Sequence, residues 1–405
     1  MKSSLNIHRN DHRILMLKEA ALNSEPVAGL THNFYRYPAR FSPVFAHEAI
    51  KLFTDVGDLV FDPFMGGGTS LVEACALGRR AVGTDISGLS AFVSKVKTTP
   101  LSRRDIEEIM TWADKVGPKL NLYNPPFRHT EWIKRGYQRN ISGKKTWPTR
   151  KTLELALSQL NTLANEPQRL FIRCALLRTA QWALDCKTTI PQAKEFRRQF
   201  YDYLVEMIEG LKAFSADVRT SGIESHPKNA SPALCLQRSV TGIENEFKLM
   251  NLPAPRLILT SPPYPGVHVL YHRWQIQGRR ETPAPFWIAN SLDGMPESFY
   301  TFGYRRQTHL RDYFANLLET FTSVAKVADK NTIMVQMVAF SNPLWQLPKY
   351  LKVMERAGFI ELRVPKMGNA KDRRLWRNVP NRKWYAHQKG NARSDLEVVL
   401  IHRRA

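Results

Sequence analysis

The sequence predicts an α/β fold: a doubly wound, mostly parallel sheet interrupted by a helical insert. Three observations predict it. Short apolar runs of strand length alternate with helix-length stretches toward both ends of the chain, the pattern of parallel strands joined by crossover helices. Between them, residues 101–225 lose the strand signal and keep helical periodicity. Gly66-Gly67-Gly68 fills a strand-to-helix turn, the place in such a sheet where backbone can approach a ligand closely.

Residues 1–30 read as a helical or loose arm. Residues 31–50 are aromatic-rich, and Pro38 and Pro43 suggest an extended entry before a helix that begins near Pro43. Asp58-Leu59-Val60-Phe61 is a short apolar strand, and Thr69 through Leu77 is a helix stopped by Gly78. Arg80 to Thr84 forms the next strand, with Asp85 at its end, and Ser87 to Lys97 the next helix. In the insert, Leu153, Leu155, Leu157, Leu160 and Leu163 mark one helix, Leu170 to Leu184 a second, and Phe200 to Phe214 a third. Gly222 to Pro232 reads as a linker. The strand signal returns from Leu234, and Leu257-Ile258-Leu259-Thr260 runs straight into Ser261-Pro262-Pro263-Tyr264. Residues 265–308 are too long to be an idle loop of a compact domain. Beyond them, helices at 311–329 and 343–357 alternate with strands at Thr332–Phe340, Ile360–Val364 and Leu396–His402. The expected division is 1–100 for the arm and a ligand-binding half, 101–240 for the insert, and 241–405 for the second half of the sheet.

Lys and Arg number 59 against 36 Asp and Glu, a net charge of +23, on a chain that is 43% hydrophobic. A folded protein with that surplus points to a polyanionic partner. Four cysteines (Cys75, Cys174, Cys186 and Cys235) without CxxC spacing argue against a disulfide framework. The polar start, with no signal-like apolar segment and no membrane-length run anywhere, leads to the expectation of a soluble cytoplasmic protein with no membrane partner. His268 and His272 lie four apart with no third ligand beside them, so no metal site is expected.

Asp62-Pro63-Phe64-Met65-Gly66-Gly67-Gly68-Thr69 occupies the first strand-to-helix turn, and Asp85 follows 17 positions after the last glycine. Free N–H groups at a helix start, with a carboxylate at the end of the next strand, suit an adenosine-containing ligand and its ribose hydroxyls. No Lys-Ser or Lys-Thr follows the glycines, and Leu71 stands where a dinucleotide fingerprint has its third glycine. A cofactor without phosphates fits better. A plain glycine turn is the bland alternative.

Ser261-Pro262-Pro263-Tyr264 lies at the carboxyl edge of the same sheet. An exocyclic amine is a poor nucleophile because its lone pair is delocalised into the ring. Hydrogen bonds from it to the Ser261 hydroxyl and to a proline-region carbonyl would draw the nitrogen toward sp3 character. Two prolines remove N–H donors and stiffen the turn, and Tyr264 offers a face for a flipped base. The bland reading is a proline turn ending a strand. Asn124-Pro125-Pro126-Phe127 spells a related motif but follows Pro118 to Tyr123, which makes no convincing strand, so it reads as a decoy.

Together, DPFMGGGT, the strand-end Asp85 and TSPPY resemble the amino-methyltransferase superfamily of DNA methylases, whose fold is Rossmann-like. Tyr37 to Phe41 (YPARF) resembles the segment that family places before its DPF motif. The resemblance implies S-adenosylmethionine as cofactor, held by Tyr37, Phe41, Asp62, Phe64, Gly66, Gly68, Thr69 and Asp85. It implies Ser261, Pro262, Pro263 and Tyr264 as the catalytic motif. The leading serine leans toward cytosine N4; adenine N6, or an RNA base, is the alternative, and a non-catalytic AdoMet-holding DNA-binding subunit is the alternative of another class. The residues before the catalytic strand (Leu236 to Val240) lack the acid often found near the adenine ring. No Pro-Cys pair exists, which excludes C5-cytosine chemistry of that type. The resemblance also implies double-stranded DNA as substrate, the insert as target-recognition region, and a possible cognate restriction endonuclease acting at the same site.

Basic residues interleave with aromatics at 128–151 (Trp132, Tyr137, Trp147) and at 371–384 (Trp376, Trp384), and arginine pairs stand at 279–280 and 305–306. These are the expected DNA contacts, with residues 265–308 closing over the base.

Overall fold

The computed structural model describes residues 11–37, 42–125, 130–221, 232–266, 273–278, 280–292, 300–304, 306–364, 366–368, 372–378 and 396–405. The chain opens with α1 (Asp11–Leu22), α2 (Pro43–Phe53), β1 (Leu59–Asp62), α3 (Thr69–Ala76), β2 (Arg80–Asp85) and α4 (Gly88–Lys97). The insert holds α5 (Arg103–Val116), α6 (Thr130–Lys134), α7 (Trp147–Ser158), α8 (Glu166–Leu184) and α9 (Ala193–Thr220). There follow β3 (Ala233–Gln237), β4 (Leu257–Thr260), β5 (Trp274–Ile276), β6 (Arg280–Thr282) and α10 (Ala284–Ala289). The chain closes with α11 (Arg311–Val327), β7 (Ile333–Ala339), α12 (Pro343–Arg356), β8 (Phe359–Glu361), β9 (Leu375–Asn378) and β10 (Leu396–Arg404).

The main sheet has the order β3-β2-β1-β4-β7-β10-β8, with β9 paired to β10. Strands β3, β2, β1, β4 and β7 are mutually parallel, and β10 runs antiparallel between β7 and β8. This is the expected doubly wound, mostly parallel, Rossmann-like arrangement. From β1 the chain winds outward through β2 to β3, then returns to place β4 on the other side of β1. The carboxyl ends of β1 and β4 therefore flank the switch point, where open α/β sheets bind ligands.

Strand parity divides the core. Val60, Ala81, Leu257, Leu259, Val335 and Val399 face one side, packed under α2, α3, α4 and the insert. Leu59, Phe61, Val82, Ile258, Met334 and Val398 face the other, under α11 and α12. Strands buried on both faces read as continuous apolar runs, as LVF and LILT do.

The insert is not a separate lobe. Residues of α7, α8 and α9 share one continuous core with α2, α3 and α4, and α8 and α9 rest on α4 and α3. Strand β3 (Ala233–Gln237) falls within the 101–240 insert as drawn from sequence, yet it is the edge strand of the sheet, so the insert proper ends before it. Ile360–Val364 was expected as a strand; pairing with β10 covers only Phe359–Glu361. The β5–β6 hairpin and α10 carry buried Trp274, Ile276, Phe286 and Trp287 into the insert's core, so much of the 265–308 segment packs as structure. Asn124-Pro125 sits in irregular chain after a short 3-10 turn and follows no strand; Pro126 and Phe127 lie outside the described residues.

Candidate active site

The loops after β1, β2, β3 and β4 meet in one cleft of about 730 Å³, the open solvent at its mouth included. The β1 loop contributes Pro63, Phe64 and Gly66, the end of β2 Asp85 and Ile86, and the β4 loop Ser261 and Pro263. Tyr37 forms part of the wall from the segment before α2, and Tyr300 and Phe302 complete it from beyond the insert.

The glycine turn is shaped by its neighbours. Gly66 and Gly68 have φ of +47° and +74°, in the left-handed region where a side chain is strained. A Cβ on Gly67 would come within 2.9 Å of the Tyr37 Cβ, so the turn packs against that ring with no room for a methyl group. Lys97, fully buried in α4, donates to the Gly67 carbonyl at 2.7 Å, and Ser90 to that of Gly66 at 2.6 Å.

Two carboxylates anchor the turn differently. Asp62 is 2% exposed and outside the cleft wall. One of its oxygens accepts from the Phe64 N–H at 3.0 Å and from the Thr260 hydroxyl at 2.7 Å; the other accepts from Ser70. The Thr260 bond ties the ends of β1 and β4 together across the switch point. Burial pushes the Asp62 carboxyl up to about 6, against the opposing effect of these bonds. Asp85 reaches the cleft. Its oxygens accept from the Gly66 N–H at 3.0 Å and the Ser87 N–H at 2.8 Å, and burial raises its pKa.

Of the remaining cofactor residues expected from sequence, Tyr37, Phe64 and Gly66 line the cleft with Asp85, while Gly68 and Thr69 stand behind it at the start of α3. Phe41 lies outside the described residues. The buried hydroxyls of Thr69 and Ser87, at the starts of α3 and α4, have no hydrogen-bond partner among the described residues. Orphan hydroxyls at two helix N-termini, backbone approach at the glycines, a strand-end acid and a cleft wall without lysine among the described residues fit S-adenosylmethionine. The aromatic lining of Tyr37, Phe64 and Phe302 also suits a sulfonium cation.

The Ser261–Tyr264 motif is held by a chain of polar contacts. The Ser261 hydroxyl lies 3.0 Å from the Tyr264 hydroxyl and 3.0 Å from the Met337 carbonyl on β7. Tyr264 donates to Glu397 on β10 at 2.8 Å, and Arg377 on β9 donates to the far oxygen of Glu397 through Nε at 2.9 Å and a terminal nitrogen at 2.8 Å. Tyr313 on α11 donates to the Pro263 carbonyl at 2.7 Å, and Phe302 packs edge-on to Phe64 at 5.5 Å.

Several of these residues escape sequence reading. Tyr300, Phe302 and Tyr313 arrive from segments without a motif. Arg238, Ser239 and Val240 fill the wall where the expected acid is lacking, and the Arg238 guanidinium is engaged by Glu246 at 2.5 Å and by the Gly242 carbonyl. Glu397 leaves one legible trace, a lone buried acid in the apolar first part of its strand, Leu396 to Ile401.

The expected DNA-contact clusters divide. Lys134, Arg139, Lys144 and Lys145 are exposed. Lys151 is buried and donates to the Leu122 carbonyl, Arg150 bonds Ser142, and Trp132 and Tyr137 pack edge-to-face at 4.9 Å. Arg374 pairs with Glu361 and Asp372. Arg280 and Arg306 are exposed; Lys371, Arg382, Lys383 and Trp384 lie outside the described residues. Among the described residues no group of three or more His, Cys, Asp or Glu is placed to hold a metal, and no helix is long and apolar enough to cross a membrane. His268 and His272 are outside the described residues.

Residues 17–89 match the family model described as DNA methylase. The Type II methyltransferase M.MvaI of Kocuria varians is 49% identical over 75 residues, covering 18% of this chain and 16% of that protein. The Type II methyltransferase M.MjaII of Methanocaldococcus jannaschii is 35% identical over 78 residues, 19% of this chain and 14% of that one. The orphan methyltransferase M.BamHII of Bacillus amyloliquefaciens is 42% identical over 53 residues, 13% of this chain and 20% of that one. The matched stretches thus span a fifth or less of each relative's length. Among solved structures, the rRNA methyltransferase aviRa from Streptomyces viridochromogenes aligns over 97% of this chain and 92% of its own, at 11% identity and a TM-score of 0.34, too slight a likeness to carry an inference. The family match runs from α1 to the start of α4 and contains the glycine turn and Asp85. That segment is what the chain shares with the DNA methylases, a family whose methyl donor is S-adenosylmethionine.

Proposed function

We propose that this protein transfers a methyl group to the exocyclic N4 of cytosine in double-stranded DNA, with the target base flipped out of the helix. The observation that carries the reading is the meeting of Ser261 and Pro263 with Gly66, Asp85 and Tyr37 in one cleft at the switch point. S-adenosylmethionine, when bound, supplies an electrophilic methyl group. The glycine turn and Asp85 hold its nucleoside end, and Tyr37 closes the wall beside the turn. Asp62, Gly68 and Thr69 set the turn from behind. Ser261 and the Pro262 carbonyl accept the two amine hydrogens and draw the nitrogen lone pair out of conjugation; the neighbouring Pro263 carbonyl is taken by Tyr313. Tyr264 offers a flat face on which the flipped base can stack. Positioning supplies much of the rate, and no covalent bond to the protein is needed. The exposed lysines of the insert supply phosphate contacts, and the natural setting is a restriction–modification pair or an unpartnered modification in the cytoplasm.

The test is to incubate the protein with unmethylated duplex DNA and S-adenosylmethionine, digest to nucleosides and identify the product by mass spectrometry. N4-methylcytosine is expected. N6-methyladenine keeps the mechanism and overturns the base. Absence of methylated nucleoside from varied DNA and RNA, with both ligands bound, shows a non-catalytic binding subunit instead.

A further inference from the structure

We infer that Glu397 is a positioning residue that sets the direction of the hydrogen bonds at Ser261, so that the cleft takes a base edge offering an N–H and refuses one offering a carbonyl oxygen. This rests on the methyltransferase reading and deepens it.

The argument is one of donors and acceptors. Arg377 can only donate. Two of its nitrogens converge on one oxygen of Glu397, at 2.9 and 2.8 Å, and a third donates to the Ala21 carbonyl at 3.0 Å. The other Glu397 oxygen faces the Tyr264 hydroxyl at 2.8 Å. A carboxylate has no hydrogen to give, so Tyr264 must donate to it, and the Tyr264 oxygen is left as an acceptor toward Ser261 at 3.0 Å. The second partner of Ser261, the Met337 carbonyl at 3.0 Å, also only accepts. Both neighbours therefore call for the single Ser261 hydrogen and neither supplies one. The Ser261 oxygen turns lone pairs toward the cleft.

A cytosine or adenine amine donates to those lone pairs. The O4 of thymine or the O6 of guanine would set lone pair against lone pair, an unpaired polar contact in a confined site. Arg377 and Glu397 are 7% and 6% exposed, so water does not reverse the chain. Glu397 reaches Ser261 only through Tyr264, and neither it nor Arg377 belongs to the cleft wall.

The experiment compares E397Q, Y264F and their combination with the wild type, measuring kcat and the KM for DNA and for S-adenosylmethionine. In E397Q the donors of Arg377 draw the amide oxygen, the amide NH2 faces Tyr264, and Tyr264 is turned to donate into Ser261. A fall in kcat of roughly tenfold or more is expected, with both KM values within about twofold. In the Y264F background the same change has no hydroxyl to reverse, and a further loss of less than about twofold is expected. Since E397Q can cost stability, the neutral pair E397Q/R377Q is made beside it. With the guanidinium gone, the amide introduced by E397Q is free to turn its oxygen back to Tyr264, and a kcat within about threefold of wild type is expected. An E397Q enzyme with wild-type kcat, an equal loss in the Y264F background, or a folded neutral pair as slow as E397Q overturns the inference. A wild type that methylates no base overturns the methyltransferase reading instead.

Discussion

The two sides of the cleft are built by opposite strategies. On the cofactor side the bonds are mostly local, the Thr260–Asp62 tie across the switch point excepted: Phe64 and Ser70 reach Asp62 across two and eight positions, and Gly66 reaches Asp85 across 19. On the Ser261 side they span the fold: Met337 lies 76 positions away and Glu397 lies 133 from Tyr264. A locally built turn survives changes elsewhere in a chain and keeps its signature over short sequence stretches. A site assembled by the sheet depends on strands that share no motif with it. The family match stops before the second kind begins.

This contrast can be broken most directly at Ser261. S261A should lower kcat by about a hundredfold or more, the usual size for losing one aligned hydrogen-bonding group at a reacting centre. Equilibrium dialysis should find S-adenosylmethionine binding unchanged; weakened binding would mean that the two sides are not separable. Next in size, G68A places a side chain at φ +74° with its Cβ 2.6 Å from the Ser94 hydroxyl. A loss of about 2 to 3 kcal/mol is expected in denaturant melts, combining left-handed strain with overpacking.

Asp62 gives a signed pH test. Its carboxyl is raised from 3.8 to about 6, so the folded state favours the protonated form. Its contribution to stability is greatest below pH 4 and is lost as pH rises through 6, on the order of 2 kcal/mol. D62N has no proton to lose, so the melting temperature of D62N relative to wild type should rise between pH 4 and pH 7. A flat difference would show that Asp62 ionises as an ordinary surface acid does. Asp85 is smaller in effect: D85N should weaken S-adenosylmethionine binding about tenfold while kcat at saturation stays near wild type, as measured by titration and turnover. Smallest, K144A/K145A should reduce the salt dependence of DNA binding by a slope of about two and leave melting unchanged. The same change at Lys151, which holds Leu122, should lower the melting temperature.

Much of this was legible in the sequence. The strand, turn, helix and acid of residues 58–99 each carry their own cause, whether a glycine at positive φ or an apolar run buried on both faces. The Ser261 motif was legible by type and by its place after LILT. Its supports were not, because Glu397 is a single acid in a strand whose partners only the sheet order reveals. Basic and aromatic spacing misled at Arg150, Lys151, Trp132 and Tyr137. A charge run does not disclose which of its members has a carbonyl waiting inside the fold.

Strand β10 comes last among the described elements yet lies in the interior of the sheet, antiparallel between β7 and β8 and paired to β9 as well. Until it docks, β7 has an open edge of seven apolar-rich residues, a template for pairing with another chain. During synthesis that edge waits for the segment from residue 340 to 395 to emerge before its partner arrives, which favours a late-closing route of assembly. The strand that relieves this hazard is also the one that brings Glu397 to Tyr264, so the closing of the sheet and the completion of the site are a single event.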